Sequence, residues 1–232
     1  MTKLGRWVAR RGYVVVLIAV VASTAYAAWL HLWPRADVAT CDGQPSVQVC
    51  GETPQRDDVR VEIPTRGLPH KGARIDDAGV TMIECSDFQC PFSRRAAGTI
   101  DELLAKNDDL AFFHTHFPLE PMHAHAGLMA RASVAAQQQG KFWQMHDALF
   151  ATPIDSEAGA IALARRIDLD PARFSSDLQD PAIHREVDRQ RRLCRDAGVR
   201  GVPTFFVNGR RVVGSLPLDQ LQRVIDDERT RP

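Results

Sequence analysis

The sequence predicts an α/β domain placed behind an N-terminal segment long and apolar enough to cross a membrane. From Gly79 onward apolar residues recur at strand and then helix spacing, in the order strand, helix, strand, several helices, hairpin, helix. An uncharged run from Gly12 to Leu30 precedes them. With 232 residues, 44% hydrophobic and 25% charged, the chain holds one ordinary globular domain plus a short extension. Lysine plus arginine equal aspartate plus glutamate at 29 each, so net charge gives no reason to expect a nucleic-acid partner.

Lys3, Arg6, Arg10 and Arg11 make residues 1–12 a basic segment, and residues 13–33 follow as a transmembrane anchor or signal segment. The run spans a hydrocarbon core of ~30 Å. Basic residues crowd its start while only Arg35 follows closely, which predicts a cytoplasmic N-terminus and an exported remainder. Tyr13, Trp29 and Trp33 suit the two interfaces. Ala25-Tyr26-Ala27 offers a small-x-small cleavage pattern, but the apolar run exceeds the ~7–15 residues of a signal-peptide core, favouring an uncleaved anchor. The expected location is the inner (cytoplasmic) membrane, single pass, with the domain in the periplasm or extracytoplasmic space.

Residues 34–78 are rich in proline, glycine, aspartate and arginine and read as an exported linker, with one short strand expected from Val59 to Ile63. Export makes disulfides durable. Cys41 and Cys50 enclose a short polar loop and are expected to pair, two free thiols in a loose stalk being the alternative.

The compact domain is expected over 79–228. Val80 to Cys85 has the pattern of a buried strand, and a helix begins around Cys90-Pro91, where proline suits a first turn. Ala111 to Phe117 makes a second strand, halted by Pro118. Helices follow over Ala124–Gln139, Lys141–Phe150 and Glu157–Ile167. Asp170 caps a helix opened by Pro171, and Pro181–Ala197 is amphipathic. Strands Thr204–Val207 and Arg211–Val213 flank an Asn208-Gly209 turn, and a helix from Leu218 to Asp227 closes the domain.

Four stretches in this order resemble the DsbA-like branch of the thioredoxin superfamily, over roughly residues 79 to 228. Glu84, Ser86, Asp87, Phe88, Cys90 and Pro91 match its active-site turn. Phe117-Pro118-Leu119 with His123, then Gln139-Gly140-Lys141-Phe142-Trp143, match the segments that follow. Gly201-Val202-Pro203-Thr204-Phe205 with Asn208-Gly209 is similar to the loop that carries the family's cis-proline. The resemblance implies an α/β thioredoxin fold with a helical insertion domain at about 120–198, preceded by the N-terminal transmembrane helix. It also implies that Pro203 faces Cys90 across a substrate groove lined by Pro91, Phe92, Val202 and Pro203, and that Glu84 is a buried acid able to shuttle a proton.

The departure from the family lies at Ser93, where its members carry a second cysteine. A thiolate at a helix N-terminus is favoured by free backbone amides and the macrodipole. A lone thiolate must wait for an outside thiol to release it, whereas a dithiol releases itself. Cys90, Ser93 and Glu84 are therefore the expected catalytic set. Cys85 reads as a small apolar filler within its strand, a Cys85–Cys90 redox pair being the lesser alternative. Cys194 reads as a buried inert thiol, with a regulatory role or a second disulfide as its alternative. His114 and His116 share a strand face, and His123 and His125 follow, yet no cysteine or carboxylate completes a metal set at recognised spacing. No metal or cofactor is expected.

The expected function is thiol-disulfide exchange through one cysteine, as isomerase or reductase-like protein. Its partners would be exported cysteine-containing proteins or small thiols, together with a membrane redox partner. The alternative is a catalytically degenerate thioredoxin-fold binding or chaperone module.

Overall fold

A computed structural model describes residues 60–231. The segment 13–33, the Cys41–Cys50 pair and most of the linker lie outside the described residues. Among those described, no helix is long and apolar enough to cross a membrane.

Five strands form one sheet in the order β1-β3-β2-β4-β5. They are β1 (His70–Gly72), β2 (Val80–Ser86), β3 (Leu110–His116), β4 (Thr204–Val207) and β5 (Arg210–Val213). Only β2 and β3 run parallel, and the crossover between them is α1 (Pro91–Lys106). The other neighbours are antiparallel. Between β3 and β4 stand α2 (Ala126–Gln137), α3 (Phe142–Ala151), α4 (Glu157–Arg166), α5 (Pro171–Gln179) and α6 (Pro181–Asp196); α7 (Leu218–Arg229) ends the fold.

Local chemistry explains the boundaries. Pro91 occupies the first turn of α1, where its missing N–H has no intrahelical partner to lose. Asp170 accepts from the amides of Ala172 and Arg173 to start α5, and Asp180 caps α6 through the amide of Ala182. The β4–β5 turn takes Asn208 and Gly209 through positive φ, 45° and 82°, as a tight hairpin requires.

Four apolar clusters follow among the described residues, three of them large. Val80, Met82, Leu110 and Phe112 cover one sheet face under Ala96, Ile100 and Leu103 of α1 and Leu221 and Ile225 of α7. Ile83, Cys85, Phe113 and Phe206 pack on the other face against Cys194 and Ala197. The inserted helices bury Met129, Leu149, Leu163, Phe174 and Leu178, and Phe88 reaches into that cluster from the turn before Cys90.

Two expectations need correction. Residues 60–63 form no strand; Val61 makes a single backbone bond, to Gly209 O. The folded domain also starts before residue 79. Ile63 and Leu68 are buried, Arg60 pairs bidentately with Glu228, and β1 adds an antiparallel edge to β3. A three-residue strand is too short to display alternation, and a proline-rich lead-in disguises its two apolar anchors.

The cysteines give the third correction. Cys85 and Cys194 are bonded to each other, Cα to Cα 6.1 Å, across 109 residues of chain. Cys85 is therefore neither a filler thiol nor a partner for Cys90, and Cys194 is not a free thiol. Both belong to the apolar cluster between the sheet and α6, so the bond fastens the central strand to that helix.

Candidate active site

The site grows from the carboxyl end of β2. Asp87 follows the strand, and its side chain is fully enclosed, its carboxylate satisfied by three donors. Oδ1 accepts from the amide of Gln89, and Oδ2 accepts from the amide of Leu119 and from His123 Nδ1 at 2.8 Å. Gln89 Oε1 accepts in turn from the amide of His125. The turn carrying Cys90 is thus stitched to the segment 117–125 that leads into the inserted helices. Asp87 entered the sequence reading only as a family match; nothing in the one-dimensional pattern shows this bridging.

Cys90 is the N-cap of α1 in extended conformation, and its amide donates to Asp87 O. Its Sγ donates to Val202 O at 3.6 Å, and the Val202–Pro203 peptide is cis. The structure therefore brings Cys90 and the Val202–Pro203 pair together. Cys90 is 5% exposed, a covered sulfur, and is the one free cysteine among the described residues. Phe92, two residues on, is 53% exposed, and Met122 on the stitched segment is 72% exposed. Pro91 is also exposed.

Ser93 faces inward. It belongs to the buried stripe Ser93-Ala96-Ile100-Leu103 that α1 lays over the sheet, and its hydroxyl has no hydrogen-bond partner among the described residues. Beneath it the paired strands change character along their length. Val80–Leu110 and Met82–Phe112 are apolar pairs in register, and Glu84–His114 and Ser86–His116 continue the same face as polar ones.

Glu84 is enclosed, and burial pushes its carboxyl up to about 7 against opposing pulls from His146 and the Ser86 hydroxyl. Its Oε2 lies 3.6 Å from His114 Nδ1. Burial holds His114 well below the usual histidine range, with His146 adding to the effect, so this contact joins a carboxyl group and a neutral imidazole. His116 is lowered likewise, by burial first and then by His114 and His146. Ser133 Oγ donates to Ala130 O, so His116 Nε2 is the donor in its 3.0 Å contact with that hydroxyl.

His146 of α3 went unnoticed in sequence. It packs edge-on to His114 with ring centroids 5.1 Å apart, and its Nδ1 bonds Asp147 Oδ1 at 2.8 Å near the surface. Its signal was a histidine four residues after Phe142 and four before Phe150, on the buried face of a helix. Phe88 stacks on His114 at 5.3 Å, which couples the Cys90 turn to this cluster. His123 is engaged by Asp87, and no group of three or more histidine, cysteine or acidic side chains among the described residues is arranged to hold a metal ion.

Residues 81–226 match the DSBA-like thioredoxin domain family. The chain belongs to that family. Among solved structures with the DsbA-like arrangement, a thioredoxin-like oxidoreductase from Silicibacter pomeroyi DSS-3 is 28% identical with a TM-score of 0.64, covering 71% of this chain and 94% of its own. Oxidised BdbD from Bacillus subtilis shares the fold at 22% identity, with a TM-score of 0.65 and coverage of 75% and 100%. Curated relatives of this DsbA-like chain include the Na(+)/H(+) antiporter NhaA 3 of Salinispora tropica, 35% identical over 150 residues, which are 64% of this chain and 23% of the relative. Another is NhaA 1 of Mycolicibacterium gilvum, 37% identical over 183 residues, 75% of this chain and 27% of the relative. The match thus spans about a quarter of the length of these antiporters.

Proposed function

We propose that this chain is an exported thiol-disulfide exchange protein that works through Cys90 alone and is held at the membrane by residues 13–33. The supporting observation is a free cysteine capping α1 against the carbonyl before a cis-proline, with a hydroxyl where the family carries a second sulfur. Cys90 sulfur attacks a disulfide R–S–S–R′, forming Cys90–S–S–R and expelling R′–S⁻, which takes up a proton. An outside thiol R″–SH then attacks the adduct, leaving R–S–S–R″ and the Cys90 thiol. No net electron transfer occurs at the protein, which suits an isomerase or a remover of thiol adducts. Pro91, Phe92, Val202 and Pro203 would receive the client, an exported cysteine-containing protein or small thiol, and a membrane redox partner would supply the releasing thiol.

The second reading is a binding or chaperone module without turnover, and the 5% exposure of Cys90 favours it. One experiment separates the two. Full-length protein is incubated with a scrambled-disulfide client, with and without glutathione, and Cys90 adducts are read by mass spectrometry. Exchange predicts a Cys90 adduct, client recovery only with added thiol, and loss of both in Cys90→Ala. Failure to form any adduct under both conditions refutes it.

A further inference from the structure

Formal charge sums to zero over the whole chain, yet it is unevenly spread around the free sulfur. Three segments meet there: the Cys90 turn with the start of α1 (87–95), the segment 117–125 that Asp87 stitches to that turn, and the cis-proline loop (199–203). Arg94, Arg95 and Arg200 are all exposed on them, with no carboxylate at ion-pair distance among the described residues. The same segments hold two acids, and both are engaged. Asp87 is enclosed and satisfied by its three donors, and Glu120 meets Arg191 at 3.2 Å. Positive charge at the mouth of the site is therefore unanswered from within the described domain.

The arginines stand on both sides of the Cys90 contact. Arg94 is one turn along α1, its amide donating to Cys90 O at 3.0 Å. The Arg95 guanidinium lies 5.7 Å from the ring centroid of Phe92, a cation–π contact that holds the charge at the surface beside the site. Arg200 comes two residues before Val202, whose carbonyl receives Cys90 Sγ. A guanidinium fork matches a carboxylate, and clusters of arginine are a recurring way to bind acidic segments. Phe92 and Met122 add apolar surface beside this charge, 53% and 72% exposed.

We propose that the site selects acidic clients: an exported protein segment whose cysteine is flanked by carboxylates, received by Arg94, Arg95 and Arg200, with an apolar side chain laid on Phe92 or Met122. The proposal rests on the exchange function above and deepens it by naming the client class. A small anionic disulfide offers the same charge but no apolar side chain, so it leaves the Phe92 and Met122 surface uncovered. Recognition itself changes no bond. In the exchange that follows, Cys90–S–S–R forms as R–S–S–R′ breaks, Cys90 gives its proton to solvent, and the expelled R′–S⁻ takes one up. Electrons move only among the three sulfurs, and no oxidant is consumed.

The test mixes the full chain at pH 7 with symmetric disulfides of leucine-containing peptides whose cysteine is flanked by glutamates, glutamines or lysines, and with glutathione disulfide. Mass spectrometry reads the rate of Cys90 adduct formation. A rate ratio between peptides at one pH cancels the ionised fraction of Cys90 and so reports charge recognition alone. The glutamate peptide should outpace the lysine peptide by about 10-fold or more, with glutamine between them. That ratio should fall toward unity at about 1 M salt, where the screening length is ~3 Å. The combined Arg94→Gln, Arg95→Gln and Arg200→Gln variant should bring it below about 2-fold, while Arg166→Gln on the inserted α4 leaves it unchanged. Equal rates, a reversed order, or a ratio that survives loss of the three arginines overturns the proposal and leaves exchange standing. Should the triple variant not fold, the salt series on wild type decides, and a ratio indifferent to salt overturns the proposal. Glutathione disulfide matching the glutamate peptide overturns the protein client in favour of a small anionic thiol. A wild type that forms no adduct with any of the four disulfides overturns the exchange function itself.

Discussion

Replacing both Cys85 and Cys194 by alanine tests the physical account of this fold most sharply. In the chain-entropy description, joining residues i and j removes about 2.1 + 1.5R ln n cal/mol/K from the unfolded ensemble. For the 109-residue separation this is about 16 cal/mol/K, or about 5 kcal/mol at 25 °C. Natural domains hold only about 5–15 kcal/mol in all, so the bond supplies a large fraction of the whole. Each kcal/mol moves the melting temperature of a domain this size by about 2–4 °C, so the double variant should melt about 10–20 °C lower. Urea denaturation of the oxidised wild type and of the double variant measures the difference, and the wild type treated with reductant should fall toward the variant. A difference below about 1 kcal/mol would refute the reasoning. So would reaction of both sulfurs with a thiol reagent in the unfolded, unreduced protein.

Other expectations follow from the site. Glu84 is raised in the folded state from 4.5 to about 7, so its contribution to stability is present below the unfolded value and is lost as pH rises through 7. Glu84→Gln should therefore exceed wild type by about 3 kcal/mol at pH 8 and show no advantage below pH 4.5, read from urea midpoints across pH; a constant offset would be contrary. The lowered His114 and His116 act in the opposite sense in both proteins, their contribution vanishing as pH falls below their ordinary range, and so cancel in the comparison. Asp87→Ala strands the amides of Gln89 and Leu119 and the His123 ring, and should destabilise by about 3 kcal/mol or more with faster proteolysis inside 117–125. Unchanged cleavage there would show that Asp87 does not fasten that segment. Ser93→Cys should close a disulfide with Cys90 on mild oxidation, seen as loss of the free Cys90 thiol, and bring insulin-reducing activity. A variant retaining two free thiols would place position 93 out of reach of Cys90.

The sequence carried the periodic parts of the fold well, for a physical reason. Strands and helices that bury one face must repeat at two or 3.6 residues, so Val80–Cys85, Ala111–Phe117 and the helices between Ala124 and Ala197 were legible within a few residues of their observed bounds. The Asn208-Gly209 turn and the Asp170-Pro171 cap carried their own backbone chemistry. Long-range pairing was not legible. Cys85 and Cys194 meet only because α6 folds onto the sheet, and no spacing rule announces a partner 109 residues away. His146 was hidden for a similar reason: it occupies a core position of α3, and its relation to His114 exists only after the inserted helices close over β3. Cys90 and Ser93 were readable as a pair, whereas the burial of Ser93 and the carbonyl opposite Cys90 belong to packing.

Alternation along β2 has one last outcome. Glu84 and Cys85 are consecutive and so point to opposite sides of the sheet, which sends the permanent sulfur bridge to the layer against α6 and leaves the titrating carboxyl beneath α1. Under the exchange function proposed above, the attacking sulfur must spare the protein's own disulfide. Both half-cystines are fully enclosed in the layer against α6, so a client thiol arriving from solution has no path to the seam that holds the domain.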